Sequence, residues 1–330
     1  MGVRLVLRPM LVLANLASAS ASGSGSGSGT KAPGVSVAER RAASARDPLG
    51  MRTVTARGVH PVTTQDHRAP VDGAEILVRI YRAAGGPEAQ PAHLYLHGGS
   101  FWLGSVEEYD PICRYYAAEA GCTVVSVDYR LAPEHPYPTG LEDAYAALGW
   151  LVSQAGALGV DPGRITVGGF SAGGGLAASL AMLARDRDGP DLVGQMLEAP
   201  ILDLTLSTRS MTELGTGYRL TRASLVQAYG FYLPRPEQAR EPYASPLLAD
   251  DLAGLPPAYI QTSECDPLRD EGEAYGARLR SAGVAAVVYR VPGHLHGSIY
   301  LTRVLPSARR AVRRTAAALR SMHTGGHQLP

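Results

Sequence analysis

Short apolar runs of strand length alternate with longer, helix-like segments along most of this chain. Strand-like runs fall at residues 75–81, 93–96, 122–127, 165–168, 194–197, 257–262 and 285–291. Helix-like segments fall at about 109–120, 141–155, 171–187, 271–282 and 307–322. Several of the runs lack a polar face, as expected of strands covered on both sides. This rhythm predicts an α/β fold: a mostly parallel central sheet with helices on both faces. Residues 206–234 interrupt it; they carry Tyr218, Tyr229 and Tyr232 but no strand pattern, and read as a helical insertion over the sheet. A further short helix is expected over residues 35–45. The stretch Asp161-Pro162-Gly163 reads as a turn.

The first 33 residues stand apart. Arg4 and Arg8, a short apolar run and an Ala/Ser segment have the order of a secretory signal, and Ser22 to Gly29 is a Gly-Ser linker. The organisation expected is therefore a signal-like or disordered segment over 1–33. It is followed by one domain over 34–330, with a cap from about 34–60 and 206–234. The apolar run is short and adjoins Pro9, so the cytoplasm is the expected compartment and export the alternative. No run of 18 apolar residues occurs, so no membrane span is expected. With 31 basic and 30 acidic residues the net charge is +1, which gives no field to attract nucleic acid. The cysteines Cys113, Cys122 and Cys265 are odd in number and irregular in spacing. They predict neither a disulfide framework nor a metal site.

Four motifs carry chemistry. Gly169-Phe170-Ser171-Ala172-Gly173 follows a strand and opens a helix. A hydroxyl exposed on so sharp a turn needs glycine two residues to either side, because a side chain there would meet neighbouring backbone. The plain alternative is a Gly-rich turn with a capping serine. His97-Gly98-Gly99-Ser100 follows another strand. The N–H groups of Gly98, Gly99 and Ala172 are candidates for an oxyanion hole, where losing one donor typically costs about 10²–10³ in rate. A simple Gly-Gly turn is the alternative. Asp266, in Asp266-Pro267-Leu268, follows the strand at 257–262; it can orient an imidazole or cap the next helix. His296, in Gly293-His294-Leu295-His296-Gly297, follows the strand at 285–291. The order Ser171, Asp266, His296 is that of α/β-hydrolases. His294 is the rival base and Asp203 the rival acid. Glu264 and Asp270 read as supporting groups, and Asp143 as a partner for buried polar groups.

With these motifs the sequence resembles the hormone-sensitive-lipase-like branch of the α/β-hydrolases, which contains bacterial esterases. The likeness covers about residues 76–300. It rests on Leu96-His97-Gly98-Gly99, on the run Tyr129 to Pro138 and on Gly169 to Gly174. Asp266 to Gly272 and His296-Gly297 complete it. The resemblance implies a carboxylesterase acting on short- to medium-chain esters through an acyl-enzyme. Ser171 would be nucleophile, Asp266 acid and His296 base, with His97, Gly169 and Gly173 supporting. No metal or organic cofactor is implied. The expected partner is a small-molecule ester, and a homodimer is compatible with the sequence. Three positions depart from the family: Phe170 replaces an acidic residue, Ser100 a third glycine, and Ser298 an aromatic. A catalytically silent small-molecule receptor of the same fold is the alternative from another class. A dinucleotide enzyme is weaker, because Gly173-Gly174-Gly175 begins inside a helix rather than directly after a strand.

Overall fold

The computed structural model describes residues 36–45, 55, 61–86 and 88–325. The signal-like segment, the Gly-Ser linker and most of residues 46–60 of the expected cap lie outside the described residues. Eight strands form one sheet: β1 (Val62–Val71), β2 (Ala74–Ala83), β3 (Gln90–Leu96), β4 (Thr123–Val127), β5 (Val160–Phe170), β6 (Gly194–Glu198), β7 (Ala258–Cys265) and β8 (Ala286–Leu295). Their spatial order is β1-β2-β4-β3-β5-β6-β7-β8. β2 pairs antiparallel with β1 and β4, and every pairing from β4 to β8 is parallel.

The helices are α1 (Val37–Ala45), α2 (Val106–Ala120), α3 (Thr139–Ser153), α4 (Ala155–Leu158), α5 (Ala172–Asp186), α6 (Arg209–Glu213), α7 (Arg222–Tyr232), α8 (Arg269–Ser281) and α9 (Pro306–His323). Strand residues alternate between two cores, as the pleat requires. Leu94, Leu96, Val167, Leu197 and Ile260 join Leu148, Leu180 and Leu279 of α3, α5 and α8. Tyr95, Val124, Met196 and Tyr259 join Ile112 and Tyr116 of α2 and Val312 and Leu319 of α9. Helices therefore cover both faces, as the apolar runs predict. Gly121 closes α2 in the left-handed conformation that glycine adopts cheaply.

Three features differ from the sequence reading. β1 carries no apolar alternation, since it is a largely exposed edge strand, and it escapes detection for that reason. Asp161-Pro162-Gly163 lies inside β5 as an irregularity, with Val160 opposite Gln90 and Ile165 opposite Ala92. β8 runs on to Leu295 through a second irregularity, so His296 directly follows the strand. The three cysteines are buried and unpaired. Among the described residues no helix is long and apolar enough to cross a membrane.

Candidate active site

Ser171 sits between β5 and α5 with φ 57° and ψ −117°, a strained conformation for a residue with a side chain. Its neighbours over-determine it. The Ser171 N–H donates to the Glu198 carbonyl at 2.8 Å, and the Ser171 carbonyl accepts from Ile201 N–H at 3.0 Å. A Cβ on Gly169 or on Gly173 would collide with the Leu96 carbonyl oxygen. The turn can therefore be this tight only with glycine at both places.

Asp266 directly follows β7 and His296 directly follows β8, so both lie at the strand ends beside Ser171. His296 Nε2 is 3.1 Å from Ser171 Oγ, and His296 Nδ1 is 2.7 Å from Asp266 Oδ2. A carboxylate only accepts, so the Nδ1 proton faces Asp266 and Nε2 is left to accept from the serine hydroxyl. The second Asp266 oxygen accepts from Leu268 N–H at 3.0 Å. That bond closes a turn; α8 begins only at Arg269, so Asp266 does not serve as the helix cap. Asp266 is fully buried and Ser171 nearly so, whereas the His296 side chain keeps 12% exposure.

The rival residues are engaged elsewhere. Both ring nitrogens of His294 meet serine hydroxyls, Ser298 and Ser307, at 2.9 Å each. The Asp203 carboxylate accepts from the Thr205 and Ser207 hydroxyls and their N–H groups. Glu264 accepts from Gly293 N–H, and Asp270 from Ser210 N–H. Asp143 pairs with Arg130 at 2.6 Å.

After β3, His97-Gly98-Gly99 turns beside the same strand ends. A Cβ on Gly98 would run into the Tyr109 hydroxyl and Phe170. Among the described residues no acceptor takes up the N–H of Gly98 or Gly99, and Ala172 contributes the first N–H of α5, which helix geometry leaves without an intrahelical partner. His97 Nδ1 donates to the Gly98 carbonyl at 2.8 Å, and its ring stacks on Tyr129 at 4.3 Å. Burial pushes the imidazole below its ordinary pKa against the opposing pull of Asp128. Burial therefore favours the neutral imidazole, whose Nε2 lies 3.9 Å from the Asp128 carboxylate.

The three departures each have a place. Ser100 adopts φ 53°, the left-handed region where a third glycine would be at ease. Ser298 Oγ accepts from Leu295 N–H and pairs with His294, so it knits the turn after β8. Phe170 packs its ring 4.8 Å from that of His296. Three hydrogen bonds had no sequence signal: Arg219, from the insertion, donates to the His296 carbonyl at 2.8 Å, and Glu198 accepts from Tyr116 and Tyr300. The glycines at 173–175 pack against the main chain of Leu96, Gly169 and Ile201 inside the tight turn and helix start. Among the described residues no group of three or more His, Cys, Asp or Glu side chains is set to hold a metal ion.

The chain matches, over residues 93–300, a family model described as an α/β hydrolase fold. It is 40% identical over 299 residues to carboxylesterase NlhH of Mycobacterium tuberculosis, covering 89% of this chain and 92% of that protein. It is 40% identical over 238 residues to an arylesterase of Saccharolobus solfataricus, covering 71% and 76%. The structure of a hyperthermophilic esterase from the archaeon Pyrobaculum calidifontis superposes with a TM-score of 0.87 at 39% identity, covering 98% of this chain and 99% of that one. The chain belongs to the α/β-hydrolases, in their hormone-sensitive-lipase-like branch of bacterial esterases.

Proposed function

We propose that this protein is a carboxylesterase in which Ser171 is the nucleophile, His296 the general base and Asp266 the acid behind it. The observation that carries the reading is the unbroken relay from Ser171 Oγ through His296 to Asp266, at 3.1 and 2.7 Å. His296 Nε2 takes the hydroxyl proton as Oγ attacks the ester carbonyl, and Asp266 stabilises the imidazolium that forms. The N–H groups of Gly98, Gly99 and Ala172 are the donors for the resulting oxyanion. His296 returns its proton to the leaving alcohol, and the C–O bond breaks to give an acyl-serine. Water then attacks, losing a proton to the same imidazole, and the acid leaves as Ser171 regains its hydroxyl.

The insertion and the N-terminal helix read as the cap. Tyr232 of α7 stacks on Phe101 at 3.9 Å, just beyond the glycine turn. Arg40 of α1 reaches Gln227 of α7 at 3.0 Å. Buried aromatic rings at this position suit the apolar acyl part of a short- to medium-chain ester. The same acyl preference is what the family resemblance implies. The test is hydrolysis of p-nitrophenyl butyrate by the wild type and by Ser171→Ala. Turnover by the wild type and none above background by the variant is expected; near-wild-type turnover by the variant removes the proposal.

A further inference from the structure

Behind the relay, buried hydroxyls gather on Glu198, the last residue of β6. Tyr116 Oη donates to one carboxyl oxygen at 2.6 Å and Tyr300 Oη to the other at 3.1 Å. Tyr95 Oη lies 3.2 Å from Tyr300 Oη. Glu198 is also the register partner of Phe170 across β5 and β6. The Tyr300 ring meets the Phe170 ring nearly edge-on at 5.0 Å, and Phe170 lies against His296 at 4.8 Å. Contacts therefore run from Glu198 through Tyr300 and Phe170 to His296, while the Glu198 main chain holds Ser171 N–H.

We infer that Phe170 is a positioning residue for His296, and that Tyr300 and Glu198 form the buried brace that keeps Phe170 in place. The inference rests on the reading of His296 as the base. An imidazole bonded through Nδ1 and Nε2 can still rock about its Cβ–Cγ bond, because each hydrogen bond tolerates some bending. The Phe170 ring, inclined 34° to the imidazole with centroids 4.8 Å apart, limits that motion. Phe170 can do so only if it is itself held, and Tyr300 meets its ring at 5.0 Å with a hydroxyl pinned to Glu198. Misplacing a reacting group by a fraction of a bond length is costly in rate. The brace also explains how a carboxyl survives in the core. Burial pushes Glu198 up to about 7, with the two hydroxyls acting the other way. The titratable groups around it, Tyr95, Tyr109, Tyr116, Tyr300, Tyr259 and Cys113, are all pushed up by burial and stay uncharged near neutral pH.

The experiment measures kcat, KM and the acidic limb of kcat/KM with p-nitrophenyl butyrate, on variants shown by melting to be folded. Phe170→Leu is expected to lower kcat about tenfold at nearly constant KM and to displace the acidic limb; Phe170→Tyr, which keeps the ring, restores both. Tyr300→Phe and Glu198→Gln each lower kcat about threefold and add little on top of Phe170→Leu, because the brace acts through that ring. Should Phe170→Leu not fold, Phe170→Met carries the same expectation. Wild-type kcat and limb in Phe170→Leu, or losses that multiply in full in the double variants, would overturn the inference. A wild type without turnover, or one whose rate survives His296→Ala, would instead strike down the assignment of the base, and the inference with it.

Discussion

Arg219 donates from its guanidinium to the main-chain carbonyl of His296 at 2.8 Å, joining the insertion between β6 and β7 to the turn that carries the imidazole. Arg219 itself holds φ 74°, unusual for a residue with a long side chain. Arg219→Met leaves the carbonyl without this donor and loosens the His296 turn. We expect kcat for p-nitrophenyl butyrate to fall about three- to tenfold, with little change in melting temperature because the bond lies at the surface. An unchanged kcat in steady-state assays would show that the turn holds its shape unaided.

Asp266 is fully buried and meets His296 Nδ1 at 2.7 Å. Asp266→Asn keeps the shape but presents an amide where the proposed mechanism needs a carboxylate to stabilise the imidazolium, so the tautomer at His296 is no longer fixed. The expected loss is about 10⁴ in kcat, with an unaltered circular dichroism spectrum. A loss below about tenfold would assign the acid elsewhere.

Gly173→Ala places a methyl group against the carbonyl oxygens of Leu96 and His97. Both belong to main chain that cannot give way without moving β3 or the Gly98-Gly99 turn. Denaturant unfolding should show a loss of about 3 kcal/mol or more, together with a fall in esterase rate. A variant as stable as the wild type would mean that the elbow has slack.

Glu198 binds its proton more tightly in the folded chain than in the unfolded one. Between about pH 4.5 and about 7 the native state therefore holds more proton than the unfolded state, and this residue's contribution to stability falls as pH rises through that window. A shift of this size corresponds to at most about 3 kcal/mol. Glu198→Gln does not titrate, so its melting temperature relative to the wild type should climb from pH 4.5 to 7 and level off above. His93 and His323 act in the other direction. Burial holds them down to about 3 and about 4, so their contribution is lost as pH falls below their ordinary 6.5. They are present in both proteins and cancel in the comparison. A melting difference independent of pH would contradict the account.

The central strands were legible because burial on both faces leaves continuous apolar runs. Their lengths were read short. β8 extends past Val291 through Gly293, whose lack of a side chain hides it from a pattern search. β1 was invisible, since Val62 to Val71 is polar and pairs only along one edge with β2. In the sequence only the His-Gly motif separates His296 from His294; in the structure the hydroxyl pair on His294 separates them.

The sequence by itself determined the elbow at Ser171, the glycine turn at Gly98 and Gly99, and the order of Asp266 and His296 after them. Those features answer to steric demands within a few residues, and such demands leave marks at fixed spacing. Only the tertiary structure decided which side chains surround the imidazole. His296 and Ser171 are 125 positions apart, Tyr300 and Glu198 are 102, and Arg219 and His296 are 77. Contacts between such distant positions depend on how strands align and where loops land, and no local pattern in the chain records that.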